Sequence, residues 1–514
     1  MTTHEEHAGY ERPPATAKES LRPNAIGFVG ALVIGLASTA PAYSLAAVIG
    51  SMVVIVGLQA PAALLASFVP MFLIAGAFYF MNRADPDAGT TFSWVTRALG
   101  PYVGWIAGWA VCTTGILVIG SLADVGARYT YLLFGLDGAA GSKVAVTAFA
   151  VAIIAVMTVI CILGTELSAR LQNVMIFAQV GALLIFAAVA IVKVYSGDAL
   201  SGSIRPEASW LSPFSIDSND ALIASLLVGV FIYWGWESAV SLTEETEDSR
   251  RAPGAAAVTS TLILLVTYVS VGIAVVAFAG PDALTEFDDD DAVFGALAGN
   301  VLGSPLDKIV LLAIATSAIA STQTTIIPAS RTTLSMARSD AFPRVLGRIH
   351  GVYRTPHVAT IAVAVAATAW YVPANFISEN FLFDSLSALA LMIAFYYALS
   401  GIACVIYYRR ELLKSPKNFL LMAAGPLAGA LMLGYLFVEA SRALADVDTS
   451  YSGQTILGLA PPLVIGYGFL LLGVVLLVLW RLTGHEHFFG RKPFEAVDPA
   501  IAAGEPGKPE TAAL

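Results

Sequence analysis

Charge is what this chain has least of. Only 12% of its 514 residues are Asp, Glu, Lys or Arg, while 57% are hydrophobic; soluble globular chains carry roughly 25% charged residues. The shortage excludes a water-soluble domain and puts the chain in a lipid bilayer. Its 27 basic and 37 acidic residues leave a net charge of −10, which excludes nucleic acid as a partner. Cysteine is scarce too. Cys112, Cys161 and Cys404 all fall in hydrophobic stretches, as small packing residues do, and give no disulfide framework. The six histidines (His4, His7, His350, His357, His485, His487) fall in tails or loops. No metal or nucleophile cluster is available within the apolar segments, so the chain is not expected to be an enzyme or to hold a transition metal or cofactor. No cleavable signal peptide is expected, because residues 1–24 are polar and the first apolar stretch outruns a signal core.

What is present is a series of apolar windows, each near the 20 or so residues a crossing needs. Twelve emerge, at 25–57, 60–81, 101–134, 143–164, 168–194, 221–245, 254–280, 306–333, 356–373, 383–408, 418–439 and 460–482. The tails, 1–24 and 483–514, are rich in Pro, Glu, Ala and Gly and read as disordered. With the N-terminus inside, 21 of the 27 Lys and Arg residues fall on the inner side and six on the outer. That bias supports twelve spans with both tails cytoplasmic in the cytoplasmic (inner) membrane. The outer loop carries Asp288-Asp289-Asp290-Asp291, read as a solvated acidic cap on a short helix.

Two of the spans are interrupted, five segments apart. The first reads Gly35-Leu36-Ala37-Ser38-Thr39-Ala40-Pro41-Ala42-Tyr43-Ser44 and the second Phe231-Ile232-Tyr233-Trp234-Gly235-Trp236-Glu237-Ser238. A break inside a bilayer frees peptide groups that lipid cannot satisfy, and a matched pair of breaks points to a transporter site. In the first, Ser38 and Thr39 compete for backbone bonds and Pro41 removes a donor. The half-helix starting near Pro41 would aim its positive end at a carboxylate. In the second, aromatics flank Gly235, and Glu237 is an ionisable residue at membrane depth, a functional candidate by default.

Further pieces follow in a set order. They are Pro86-Asp87-Ala88-Gly89-Thr90-Thr91-Phe92-Ser93-Trp94 leading to Ala98-Leu99-Gly100, then Gly104-Trp105 and Gly108-Trp109. After them come Glu244-Glu245-Thr246, Arg250-Arg251-Ala252-Pro253, and Ser330-Arg331 through Met336-Ala337-Arg338-Ser339-Asp340-Ala341-Phe342-Pro343. Together with the breaks, these pieces resemble the amino acid–polyamine–organocation (APC) superfamily of transporters over residues 20–480. The resemblance implies an all-α membrane protein with twelve transmembrane helices. They would form a LeuT-type 5+5 inverted repeat, 25–194 and 221–408 joined by an outer loop at 195–220, plus two C-terminal helices in 409–482. It implies that a substrate carboxylate meets the N–H groups of Ser38, Thr39 and Ala40. The ammonium would meet carbonyls near Ile34 and around Phe231, Ile232, Tyr233 and Trp234, beside Gly235, with Phe231 as the closing aromatic. This chain's Ala37-Ser38-Thr39-Ala40-Pro41 is bulkier than the Gly-Ser-Gly-Ile-Phe run of many members, and nearer the branch that includes polyamine importers.

Coupling is open between Na⁺ and H⁺. By resemblance a Na⁺ site would use the carbonyls of Ile34 and Ala37 with the hydroxyls of Ser321 and Thr322, oxygen ligands that suit a hard cation. Some proton-coupled relatives place a Lys on the fifth helix, where Gln179 stands here; Glu237 is the other candidate for exchanging protons. Asp124 and Arg128, one turn apart on the third span, read as an ordinary ion pair near the outer interface. The expected function is import of an amino acid by alternating access. Alternatives are a polyamine or organic-cation transporter, or, in another class, a transporter-derived sensor or channel. The expected partners are a small-molecule substrate and the lipid bilayer; the oligomeric state stays open.

Overall fold

The computed structural model describes residues 20–285, 297–377, 379–447 and 452–493. The predicted acidic cap at 288–291 and most of both tails lie outside the described residues. Apart from two isolated bridges, the described secondary structure is helical. Eleven helices are long and apolar enough to cross a membrane. The twelfth span is the interrupted sixth. Its main helix, Asn219–Ile232, has 14 residues and is about 21 Å long, so it needs the short helix Ser238–Ser241 beyond the break to continue it.

One predicted boundary moves. The window 25–57 would make a helix of about 50 Å, well over the ~30 Å hydrocarbon core. The chain instead forms Phe28–Ser38 and Pro41–Ala46, turns at Ala47 and Val48, and starts a separate helix at Ile49–Val56 before the second span, Ala60–Ala84. The third span, Pro101–Leu133, and the eighth, Lys308–Arg338, form the middle of the bundle. Their most apolar stretches are 83% and 72% buried, against 22% for the twelfth span, Pro461–Leu482, which is therefore peripheral.

Between the second and third spans lies the connecting helix Thr91–Leu99. Gly104 lets the third span close on it: a Cβ there would sit 1.9 Å from Thr96 Oγ1 and 2.6 Å from the Thr96 backbone nitrogen.

This connecting helix belongs to the end of the bundle where most basic residues gather, and that end is shut by polar ties. Asp87 Oδ1 accepts from the Gly89 N–H (2.7 Å), Ser93 Oγ (2.7 Å) and Ser335 Oγ (3.0 Å). Glu244 pairs with Arg338 at 2.9 Å and accepts from the Ala88 N–H at 3.2 Å. Deeper in, Arg331 and Glu245 form an ion pair at 2.9 Å with both side chains 1% exposed, and Thr165 joins them. Removing one member of such a buried pair costs about 3–5 kcal/mol, because the other charge is left without compensation. These ties fasten the fifth, sixth and eighth spans to the loop at 85–90.

Burial pushes the Asp87 carboxyl up to about 6, helped by the nearby negative charges of Glu244 and Asp85, while the Ser93 and Gly89 donors pull it back. An acid whose folded-state value is raised above its unfolded one favours the folded state at low pH, and loses that advantage as pH rises through the folded value. Wild-type protein should therefore gain on the order of 1–3 kcal/mol relative to Asp87→Asn as pH falls from 7 toward 4. Parallel thermal-unfolding curves across that window check this, and parallel pH profiles refute it. Gly104→Ala should cost about 1–3 kcal/mol by overpacking, read as a lower melting temperature in detergent; an unchanged melting temperature would mean the helices are not this close.

Candidate functional site

The first break is a change of backbone direction at two residues. The helix Phe28–Ser38 ends at Thr39, and Ala40 takes a left-handed conformation, φ 47°, before Pro41 restarts the helix. Proline is suited to a first helical position, where its missing N–H is not needed. Side chains take up much of what the break exposes. Ser321 Oγ donates to the Ser38 carbonyl at 3.0 Å, and Ser44 Oγ to the Thr39 carbonyl at 2.6 Å. Ser38 and Ser238 hydroxyls meet at 2.7 Å. The Thr39 N–H and Ala40 N–H turn back to Leu36 O (3.2 Å) and Ala37 O (3.1 Å). Two of the three N–H groups expected to face a carboxylate are thus already engaged. Ala37 lies in the last turn of the helix, where Pro41 offers its carbonyl no N–H and only the Ala40 N–H reaches it, whereas Ile34 lies one turn deeper.

The second break runs over Tyr233–Glu237. Gly235 has φ +119°, which L side chains rarely adopt. Glu237 organises this stretch. Its Oε1 accepts from Tyr396 Oη at 2.7 Å; its Oε2 accepts from Tyr397 Oη and, at 3.1 Å, from the Gly235 N–H. Trp234 Nε1 donates to Tyr396 Oη, and Tyr268 Oη donates to the Ile232 carbonyl at 2.9 Å. Trp236 stacks on Tyr397, ring centroids 5.2 Å apart. Phe231 is half-buried where its neighbours are buried, consistent with a position at the rim.

The two breaks touch. A Cβ at Gly235 would lie 2.6 Å from the Ser38 carbonyl oxygen and 3.0 Å from the Thr39 nitrogen, so only glycine permits this approach. Among the expected residues, Ser38, Thr39, Ala40, Ile232, Tyr233, Trp234, Gly235, Glu237 and Ser321 are buried around this contact. Thr322 faces elsewhere for its bonding: its hydroxyl returns to Ala318 O at 2.9 Å, within its own helix. Gln179, where some relatives carry a lysine, is fully buried with neither amide atom bonded to a described residue. The Tyr233 hydroxyl and Trp236 indole N–H are likewise buried without partners, each a cost of about 1–3 kcal/mol if left so.

Sequence reasoning missed Tyr396, Tyr397 and Tyr268. A signal existed: two adjacent tyrosines inside an apolar span must find partners for their hydroxyls. The expected Asp124–Arg128 pair is present, but at 3.8 Å it is the weaker part of a larger cluster. Asp124 is buried and accepts from Tyr371 Oη at 2.5 Å and Asn375 Nδ2 at 3.3 Å, and Asn375 also reaches Thr147 Oγ1 at 2.8 Å. The cluster joins the third, fourth and ninth spans. Another buried carboxylate, Asp384 on the tenth span, was also overlooked; it accepts from Ser452 Oγ at 2.5 Å.

Comparison with known proteins gives the chain its family. A model described as amino acid permease matches residues 26–460. An uncharacterized transporter of Mycobacterium tuberculosis is 27% identical over 294 residues, 55% of this chain and 60% of the relative, so the match spans under two thirds of that protein's length. The low-affinity putrescine importer PlaP of Escherichia coli is 23% identical, covering 74% of this chain and 80% of the relative. The branched-chain amino acid permease BcaP of Lactococcus lactis is 23% identical over 73% of this chain and 79% of the relative. Among solved structures, MhsT in complex with L-phenylalanine superposes with a TM-score of 0.56 at 16% identity, covering 80% of this chain and 98% of that one. That likeness gives the fold, a LeuT-type helical bundle, and the relatives are named transporters and permeases rather than enzymes. With two interrupted helices packed break to break, and a family match over most of its length, the chain belongs to the amino acid permease family of transporters.

Proposed function

We propose that this permease imports an amino acid across the cytoplasmic membrane by alternating access, with both tails in the cytoplasm and Na⁺ or H⁺ as the coupling ion. The observation that carries the reading is the contact between the breaks at Gly235 and Ser38, which gathers the unused peptide groups of both in one buried place. The half-helix Pro41–Ala46 begins beside this contact, and its N-terminal end suits a carboxylate. The carbonyls of Tyr233 and Trp234 receive no hydrogen bond there and suit an ammonium group. The Tyr233 hydroxyl and Trp236 N–H, both within the second break, have no partner among the described residues.

Glu237 favours an amino acid over a diamine. Three donors already engage it, so a second ammonium would have to displace one of them to reach the carboxylate. The likeness to a putrescine importer over 80% of that protein's length supports polyamine import as the second reading. For coupling, Ser321 Oγ beside the Ser38 carbonyl is the oxygen pair offered to Na⁺, and Glu237 is the group offered to H⁺. The orientation follows from the basic residues at the end closed by Arg331, Arg338 and Arg354.

Uptake into proteoliposomes separates these readings. Neutral amino acids should compete for transport, putrescine should not, and accumulation should need an imposed Na⁺ or proton gradient. The reverse competition would favour the polyamine reading, gradient-independent flux a channel, and absence of flux a sensor. Glu237→Gln and Thr39→Leu should each lower uptake at least about tenfold, the equivalent of 1.4 kcal/mol or more, while elution profile and melting temperature stay close to wild type. Wild-type uptake in both variants would remove the site from the breaks.

A further inference from the structure

Beyond the twelfth span the chain turns back onto the closed, basic end. His485 stacks on Trp480, ring centroids 3.7 Å apart, and the short helix Glu486–Phe489 follows. Phe488 is fully buried and Phe489 is 6% exposed, which is unexpected for residues outside any span. Phe488 is part of one buried apolar pocket cluster with Phe92 of the connecting helix, Trp105 of the third span, Met336 of the eighth, Ala341 just beyond it, and Leu477. Its ring stacks on Phe92 at 5.9 Å, and Phe489 lies 5.1 Å from Tyr102. Arg491 lies 5.4 Å from the Phe488 ring and donates to the Ser339 carbonyl at 3.2 Å.

These contacts converge on one turn. Trp480 Nε1 donates to the Asp340 carbonyl at 2.9 Å and Trp105 Nε1 to the Ala341 carbonyl at 2.8 Å. Residues 336–342 are thus gripped by aromatic packing below and three carbonyl bonds around. This stretch and the residue before it supply the ties that shut the basic end, since Ser335 bonds Asp87 and Arg338 pairs with Glu244.

We propose that the segment 485–493 is a built-in clasp. By seating Phe488 in this pocket it fixes the turn after the eighth span, and so keeps the Asp87–Ser335 and Glu244–Arg338 ties made. Withdrawing the segment loosens the turn and raises the population of molecules open at this end, a setting of the transport cycle made remotely from the breaks. The inference adds to the proposed cycle only that this end opens. It can be read with no substrate present, so a failed uptake assay leaves it standing.

The test places a thiol behind the ties. Thr332 is fully buried one turn before Ser335, and Thr332→Cys should react slowly with a water-soluble maleimide. The protein without this change gives the background from the three buried native thiols. Adding Phe488→Ala should speed alkylation at least about fivefold, and Phe488→Leu, which refills the pocket, should return most of the protection. With Arg338→Gln already present, Phe488→Ala should add less than it does alone, because one of the two ties it supports is gone. Equal rates with and without Phe488→Ala overturn the proposal, as does a full additional acceleration in the Arg338→Gln background. Should Phe488→Ala elute as aggregate, Arg491→Gln, which removes the Ser339 hydrogen bond, carries the same expectation and the same refutation.

Discussion

The arrangement depends on one backbone contact, the approach of Gly235 to the Ser38 carbonyl. A single carbon at Gly235 would fall 2.6 Å from that oxygen, so the two interrupted spans meet only because this position has no side chain. The contact brings together peptide groups that cost free energy wherever water is excluded. The surrounding hydroxyls answer that cost: Ser321 and Ser44 supply donors to the first break, and Tyr268 supplies one to the second. Glu237 then fixes the second break against the tenth span through Tyr396 and Tyr397. Loss of the approach would leave these bonds without a common geometry.

The scarcity of charge shapes the rest. Among the described residues, buried charges concentrate at the end tied by Glu245, Arg331, Glu244 and Arg338, while the middle of the bundle is held by the packed faces of the third and eighth spans. The two kinds of interaction respond differently to displacement. Apolar packing at near-crystalline density resists partial separation, whereas ion pairs and hydroxyl bonds can exchange their partners for water when a surface parts. Motion is therefore easier to confine to the polar end than to spread through the core. A clasp that grips the turn carrying Arg338 acts at the place where a small displacement changes most.

Much of the fold was legible in the sequence because the bilayer imposes it. Span length and apolar composition gave twelve segments, and the structure differs mainly where the first window was longer than a crossing, at Ala47 and Val48. The breaks were legible for the same reason, since small and polar residues have few roles at that depth. The site was legible only as far as local pattern reaches. Tyr396 and Tyr397 lie 159 and 160 residues from Glu237, and Ser238 lies 200 from Ser38; no spacing rule connects such pairs. The exact end of the first half-helix, at Ser38, was not legible either, because small and polar residues follow one another from Gly35 to Ser44.

Glu237 ties occupancy of the site to its shape. The carboxylate has only acceptor capacity while ionised, and its donors are Gly235 at the break and the two tyrosines that orient Trp234 and Trp236. A proton arriving on Glu237 would turn one acceptor site into a donor, so that one of these three bonds would weaken or, at a tyrosine, reverse. Losing the Gly235 bond would release the break. Losing the Tyr396 bond would release Trp234, and losing the Tyr397 bond would release the ring on which Trp236 stacks. An ammonium group drawn to the carboxylate would compete with the same donors. In the proposed cycle either route would make the ligand and the aromatic wall change together, so that one acid without a cationic partner could couple binding to movement.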